Sequence, residues 1–151
     1  MEKINGCWIP QQAYMKRNDE DNLGNTPLLL AAYGGHLGAS KILLQHNVQR
    51  SVKNKGGSTP LHVAAQEGHF TVCKLLLENR AVKDYKDKDG YTPLHLAAKH
   101  GHLDICKILI EHGATRSPKN NNGTTPLELA AMENRFEVAS FLRNLKKRKH
   151  E

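Results

Sequence analysis

Histidine and cysteine are the side chains whose numbers first suggest chemistry in this chain. Nine histidines and three cysteines occur among its 151 residues, and both types of side chain ligate zinc. A tetrahedral zinc site needs Cys and His pairs at short, recurring spacings, and the sequence has none; the pair His100 and His102 stands alone. Most of the histidines instead recur with the repeat described below. We therefore predict no metal site and no cofactor.

The cysteines do not indicate catalysis either. Cys73 and Cys106 lie 33 residues apart, in a register that holds Ser40 and Ala139 elsewhere, so the position requires a small residue. Packed helices lie about 10 Å apart, which is beyond the ~7 Å limit for a disulfide between these two cysteines. Cys7 lies outside the repeats and is expected to be free. Without a nucleophile, base and orienting group, or paired carboxylates in a cleft, we predict that the chain is not an enzyme.

A 33-residue motif that occurs four times determines where these residues lie. Each copy contains Gly-x-Thr-Pro-Leu, and an Ala-Ala pair begins five residues after the threonine. A Gly-His pair follows in three copies, and Asn134-Arg135 replaces it in the fourth. Self-similarity at this period predicts a solenoid of stacked supersecondary units. The four threonines are Thr26, Thr59, Thr92 and Thr125.

The motif predicts two helices in each copy. Threonine is a good N-cap, proline at the first helical position loses no hydrogen bond, and Glu128 completes a capping box in the fourth copy. The glycine of each Gly-His pair, or Asn134, suits the left-handed residue that ends the first helix. The chain should turn left-handed again at Asn47, Arg80 and Gly113. Apolar spacing predicts second helices over 37–45, 70–78, 103–111 and 136–144.

These motifs resemble those of the ankyrin repeat family. Residues 59–65 and 92–98 carry its Thr-Pro-Leu-His-x-Ala-Ala signature, whereas Leu29 and Glu128 replace the histidine in the other two copies. The resemblance implies an all-α, ankyrin-repeat solenoid of stacked helix-turn-helix units with β-turn or hairpin fingers. It also implies a concave surface, lined by the hairpin tips and first helices, where partners usually bind. The repeat domain is expected over 21–145, with repeats at about 23–55, 56–88, 89–121 and 122–145.

The two ends of the array differ in polarity. The fourth repeat carries polar residues on its helices and is expected to close the solenoid as a C-terminal cap. Those residues are Glu128, Glu133, Arg135, Glu137, Ser140 and Arg143. The first repeat is more apolar over residues 28–33, so we expect residues 1–20 to fold back as an N-terminal cap with Ile4, Trp8, Ile9, Tyr14 and Met15. The alternatives are a partner docked on that face, or further repeats.

Composition bounds the location of the protein. The formal net charge of +7 favours acidic partners. No stretch reaches the roughly 18 apolar residues of a membrane helix, and the N-terminus has no apolar region typical of a secretory signal. An odd number of cysteines without framework spacing indicates a reducing compartment, so we expect an intracellular protein, cytoplasmic or nuclear. The basic tail, 146–151, includes Lys146, Lys147, Arg148 and Lys149, which fit a nuclear import signal or a helix end whose cations offset the helix dipole.

The residues that the repeat does not dictate are the candidates for partner binding. They lie on the hairpins and at the ends of the first helices. The candidates are Tyr33, Lys53, Lys55, Ser58, Gln66, Lys86, Lys88, Tyr91, Lys99, His100, Lys119, Asn121 and Met132. We predict a monomeric, non-catalytic module that binds an acidic segment of another protein. The alternative is a chromatin- or nucleic-acid-associated adaptor that uses the basic hairpins and tail, although the sequence has no row of stacking aromatics and no DNA-reading motif.

Overall fold

The computed structural model describes the backbone of residues 2–4, 7–9 and 20–148, and the side chains of residues 20–145. Near the N-terminus, strand β1 (Glu2–Ile4) pairs antiparallel with strand β2 (Cys7–Ile9). The repeat pattern did not predict these strands, because they precede its first copy.

Eight helices follow in the described part of the chain, two in each repeat. Each first helix packs against the second helix of its repeat and against the first helices of adjacent repeats, and the second helices stack in the same way. The result is two stacked rows of helices, which confirms the all-α solenoid. The first helices are α1 (Pro27–Gly34), α3 (Pro60–Glu67), α5 (Pro93–Lys99) and α7 (Pro126–Met132). The second helices are α2 (Leu37–Gln45), α4 (Phe70–Glu78), α6 (Leu103–Glu111) and α8 (Phe136–Arg148).

Each first helix begins at a threonine N-cap followed by proline. The threonine side chain accepts the N–H of the third helical residue in all four repeats. The backbone nitrogen of Thr125 donates to Glu128 Oε1 at 3.3 Å, which confirms the predicted capping box. His62 Nδ1 completes the same box at 3.2 Å from the Thr59 nitrogen. Leu29 has no acceptor, so α1 has only the threonine half of the box.

The predicted left-handed residues all have positive φ. Asn47, Arg80 and Asn134 have φ of 60°, 64° and 60°, although the left-handed conformation strains any residue with a Cβ. Gly57 shows why a finger requires glycine at this position. Its φ is +80°, and a Cβ there would lie 2.9 Å from the backbone nitrogen of Lys88 in the next repeat. The predicted left-handed turns are therefore confirmed, and the glycine at Gly57 also allows neighbouring repeats to approach.

The core is a continuous layer of small and aliphatic side chains between the repeats. The Ala-Ala pairs of the second and third repeats are fully buried. Cys73 and Cys106 share their register with Ser40 and Ala139, and all four are buried on the second helices. Small residues at these positions allow the helices to pack closely. The prediction that Cys73 and Cys106 are packing residues is confirmed.

The limits predicted for the second helices hold for α2, α4 and α6, whereas α8 continues beyond residue 144 to Arg148. The first three second helices are followed by Asn47, Arg80 and Gly113 in the left-handed conformation. The equivalent position of the fourth repeat lies inside α8 and holds Lys146, a good helix former. The fourth second helix therefore does not end where the repeat pattern predicts.

The end repeats expose apolar side chains more than equivalent positions elsewhere do. Ile42 is 57% exposed, whereas Ile108, two repeats further on, is 6% exposed. At the other end of the array, Phe136 is 71% exposed, beside the six exposed polar residues of the fourth repeat. The predicted N-terminal cap, residues 1–20, lies almost entirely outside the residues whose side chains are described, and it stays a prediction.

Candidate functional site

Four hairpin fingers, at 20–25, 53–58, 86–91 and 119–124, each depend on one aspartate or asparagine. Asn54 Oδ1 accepts the N–H of Gly56 at 2.9 Å and of Ser58 at 3.0 Å. The equivalent side chains make the same two bonds in the other fingers. Such side chains commonly stabilise turns by binding N–H groups two residues on. These four side chains were not predicted from the sequence, although Asp21, Asn54, Asp87 and Asn120 recur every 33 residues.

Hydrogen bonds join each finger to the next. Lys55 donates its backbone N–H to the carbonyl of Leu23 at 3.0 Å, and Lys88 donates to Gly56 at 3.1 Å. The N–H of Asn121 continues the series, bonding the carbonyl of Asp89 at 3.0 Å. The fingers therefore form a single aligned row, in which the position of one side chain relative to the next is defined by the backbone.

The histidines of the Thr-Pro-Leu-His motif connect repeats. His62 Nε2 lies 2.8 Å from the carbonyl oxygen of Tyr91, and His95 Nε2 lies 2.8 Å from that of Thr124. Since Nδ1 accepts the N–H of the capping threonine, Nε2 carries the proton and donates it to the carbonyl. Burial lowers the pKa of His62 and of His95 below the ordinary value of 6.5. These two histidines are neutral structural groups, not ligands for a metal.

The histidines of the Gly-His pairs connect repeats in the opposite direction. His69 Nε2 lies 2.9 Å from the carbonyl oxygen of Tyr33, and His102 Nε2 lies 3.1 Å from that of Gln66. In the fourth repeat, Arg135 takes this role, and its Nε donates to the carbonyl of Lys99 at 3.2 Å. The bonds stabilise the C-terminal ends of the first helices, which carry five of the thirteen predicted binding residues.

Two predicted binding residues on the fingers also take part in the scaffold. Lys53 Nζ donates to the carbonyl of Lys86 at 3.2 Å, and Lys86 Nζ donates to that of Lys119 at 2.9 Å. The ammonium of Lys53 also lies 4.5 Å from the ring centroid of Tyr85, in a cation–π contact. The sequence suggested a row of lysines that make no contacts within the protein. The side chains of Lys53 and Lys86 instead extend along the row of fingers and donate to its backbone carbonyls.

Tyr91 is half-buried. Its ring makes an edge contact with the ring of His95 at a centroid distance of 5.7 Å, and the ammonium of Lys99 lies 5.7 Å from its centroid. Tyr91 thus brings together a finger and the helix α5 that follows it. A substitution at Tyr91 would change the scaffold as well as any contact with a partner.

The remaining predicted binding residues lie on two adjoining surfaces, the fingers and the ends of the first helices. Tyr33 and Met132 are 58% and 70% exposed. Asn121 is exposed, but its Nδ2 donates to the carbonyl of Lys88 at 2.8 Å. Lys55, Gln66, Lys86, Lys88 and Lys119 are also exposed, whereas Ser58, Lys99 and His100 are half-buried.

The described residues contain no arrangement suited to metal binding or thiol chemistry. No group of three or more His, Cys, Asp or Glu side chains that could hold a metal ion occurs among them. Burial raises the pKa of the Cys73 and Cys106 thiols to about 12, so both stay protonated at neutral pH. Among the helices of the described chain, none is long and apolar enough to cross a membrane.

The stacked helix pairs and their connected fingers define an α-helical repeat protein. A model of the family described as ankyrin repeats, in three copies, matches residues 7–87 and again 80–150. The chain belongs to the ankyrin repeat family. Two overlapping matches to a three-copy model are consistent with the four helix pairs of the structure. Members of the family typically serve as protein-interaction modules. A comparison with curated proteins finds no significant match.

Proposed function

We propose that this chain binds a partner protein through the surface formed by its fingers and the C-terminal ends of its first helices, and that it catalyses no reaction itself. One observation carries the proposal: the repeats satisfy their own polar groups and still leave this surface varied. Among the described residues, no buried side-chain nitrogen or oxygen lacks a hydrogen-bond partner. At one equivalent position near the end of the first helix, the four repeats carry the chemically different side chains of Tyr33, Gln66, Lys99 and Met132.

The composition of that surface favours a protein partner. Tyr33 and Met132 offer apolar area at its two ends, and charged side chains lie between them. Protein interfaces combine aromatic and methionine anchors with a polar surround. The exposed lysines of the fingers favour an acidic segment, because opposite charge speeds association and selects partners. We propose that the protein acts as a monomer with one such partner.

Site-specific photo-crosslinking tests which surface is used. A photoreactive residue in place of Gln66, at the end of α3, is compared with one in place of Thr71, which is also exposed, on α4. After irradiation in lysate of the source organism, adducts should form at position 66 and be displaced by excess unlabelled protein. Equal or stronger adducts at position 71 would place binding on the second-helix row and overturn the proposal.

Salt dependence separates this function from nucleic-acid binding. Protein docking should weaken only modestly between low and physiological salt. Binding to a polyanion falls steeply over that range, by roughly 10³-fold or more for several phosphate contacts. Adducts at position 66 that disappear with added salt, or with nuclease treatment, would favour the nucleic-acid alternative.

We also propose that the basic tail directs the protein to the nucleus. Its support is the run of cations at 146–149, a composition read by nuclear import receptors. A fluorescent fusion with all four residues changed to glutamine should lose nuclear enrichment relative to the wild-type fusion. Unchanged distribution would leave the cations with only their effect on the end of α8.

A further inference from the structure

Two of the five lysines on the fingers are less available to an acidic ligand than their exposure suggests. Lys53 and Lys86 already donate their ammonium protons to carbonyls of the next finger. Binding a carboxylate there would break those bonds or share their protons. The strongest anion site is therefore expected where cations converge and keep N–H donors that no backbone carbonyl uses.

Such a convergence lies where α5 ends and the fourth repeat turns back towards it. We call it the cationic corner, formed by Lys99, His100, His102 and Arg135. The rings of His100 and His102 stack at a centroid distance of 6.3 Å. Arg135 reaches from the α7–α8 turn and donates Nε to the carbonyl of Lys99 at 3.2 Å. That bond orients the guanidinium and uses its Nε. Carboxylates are bound by pairs of guanidinium N–H groups, and the Nη groups can still form such a pair.

The electrostatic surroundings of His100 show that the corner is positive. Its pKa is lowered from the ordinary value first by partial burial, and then by the charges of Lys99, His102 and Arg135. Glu67, at the end of α3, acts in the opposite direction. The cations of Lys99 and Arg135, from two different segments, and the imidazole of His102 thus face His100, against one carboxylate. An added anion would offset this repulsion and favour protonation of His100.

An exposed apolar side chain completes the arrangement. Met132 ends α7 at the position that Lys99 occupies at the end of α5, one repeat earlier. It is 70% exposed, and methionine adapts its shape to varied apolar partners. The fourth repeat therefore places a flexible apolar group one repeat from the cationic corner, on the same row of helix ends.

From this geometry we infer that the partner presents an acidic segment whose carboxylates bind Lys99, His100 and Arg135 and whose apolar side chain packs on Met132. The inference rests on the proposed function and specifies where on that surface the ligand binds and what chemistry it has. Charge complementarity commits the corner to an acidic peptide. Methionine beside the cations favours a peptide that also carries an apolar anchor.

Titration with a synthetic peptide tests the site. The probe is a short fluorescein-labelled peptide of glutamates with central leucines, and its companions replace the leucines by serine or the glutamates by lysine. Lys99→Glu should weaken binding of the probe about tenfold or more, since a lost charge-assisted contact is replaced by repulsion. Lys74→Glu, the same charge change at an exposed site on α4, should leave affinity within about twofold.

Two further variants test the individual contacts. Met132→Ser should weaken the leucine-containing probe and leave the serine companion unchanged. His100→Gln should remove a rise in affinity that the wild-type protein shows as pH falls below about 6.5, where His100 would gain a proton on binding. Thermal melting of each variant identifies loss of fold, and Lys99→Gln, which adds no negative charge, replaces Lys99→Glu if the latter unfolds.

The outcomes distinguish acidic-peptide binding at the cationic corner from partner binding elsewhere on the surface of the proposed function. Equal losses for Lys99→Glu and Lys74→Glu would mean that only net charge matters and would overturn the inference. No binding of the peptide, with photo-crosslinks still formed at position 66, would overturn the acidic site and leave the proposed function standing. A single-stranded oligonucleotide that competes for Lys99 better than the peptide would assign the corner to nucleic acid instead.

Discussion

The imidazole Nε2 of His62 lies 2.8 Å from the carbonyl oxygen of Tyr91, 29 residues further along the chain. The other ring nitrogen accepts from Thr59 at the start of the same helix. One neutral side chain thus completes a helix cap and binds the next finger. The relationship recurs between His95 and Thr124, so two of the three junctions between repeats depend on it.

Replacing His62 should therefore cost more than its size suggests. His62→Ala leaves the Thr59 N–H without its partner, removes one of the two donors to the Tyr91 carbonyl (the Asp87 N–H remains) and opens a cavity. We therefore expect a loss of about 2–4 kcal/mol in the free energy of unfolding. Urea denaturation followed by circular dichroism measures it. The control is His112→Ala, whose exposed ring bonds only the Ile108 carbonyl, with an expected loss under about 0.5 kcal/mol. Similar losses for both variants would contradict the bridging role.

The same histidines predict a loss of stability in acid. Burial holds the pKa of His62 and His95 in the folded protein below the ordinary 6.5, so the folded state favours their neutral forms. Their contribution is complete above pH 6.5 and is lost as pH falls through that value towards the folded pKa. The urea midpoint should drop between about pH 7.5 and about pH 5.

A double variant separates these two groups from the other titrating residues. In His62→Gln with His95→Gln, glutamine retains the capping geometry but does not titrate. This variant should be less stable than the wild type near neutral pH and should show a weaker pH dependence. An unchanged slope would assign the acid sensitivity elsewhere, for instance to His100, whose pKa is also lowered.

Features contained within one repeat were predictable from the sequence. The threonine caps, the Glu128 capping box and the left-handed Asn47 and Arg80 follow from local backbone chemistry, and the four copies allow each to be checked against the others. The cross-repeat bonds were not predictable in this way. That His69 reaches the Tyr33 carbonyl depends on the offset between stacked repeats, which no single repeat contains.

The candidate site was predictable only by exclusion. Gln66 and Met132, which have no role in the repeat, are exposed, as residues offered for partner binding must be. Lys53 and Lys86 were expected to be unengaged, but flexible side chains in register can bind the neighbouring backbone, and the sequence does not show that they do. The cationic corner was missed in part because Arg135 was assigned only to the polar end of the array.

Arg80 offers a stability test of the backbone geometry. Its φ of 64° strains a residue with a Cβ by about 1–2 kcal/mol, and glycine relieves this at some cost in unfolded-chain entropy. Arg80→Gly should therefore raise stability by about 0.5 kcal/mol, measured as a higher urea midpoint.

The matched control is the equivalent residue one repeat later. Gly113 has φ of +88°, and a Cβ there would contact only Lys83 Cε, at 3.6 Å. Gly113→Ala should lower stability by about 1 kcal/mol through backbone strain alone. A lower midpoint for Arg80→Gly would show that its side chain contributes more than its backbone strain.

The exposed Ile42 permits a test of the predicted N-terminal cap. If residues 1–20 cover the first repeat, Trp8 is the anchor expected to contact that face, and Trp8→Ala should interact energetically with Ile42→Lys. We expect their effects on the free energy of unfolding to be non-additive by about 1 kcal/mol. Once Trp8→Ala has removed the contact between the two side chains, Ile42→Lys has no such contact left to lose. Phe136→Lys changes an exposed apolar residue at the opposite end of the array, so its effect should add to that of Trp8→Ala. Tryptophan emission at a fully water-exposed wavelength in the folded wild type, together with additivity for Ile42→Lys, would leave the first repeat uncapped by its own chain.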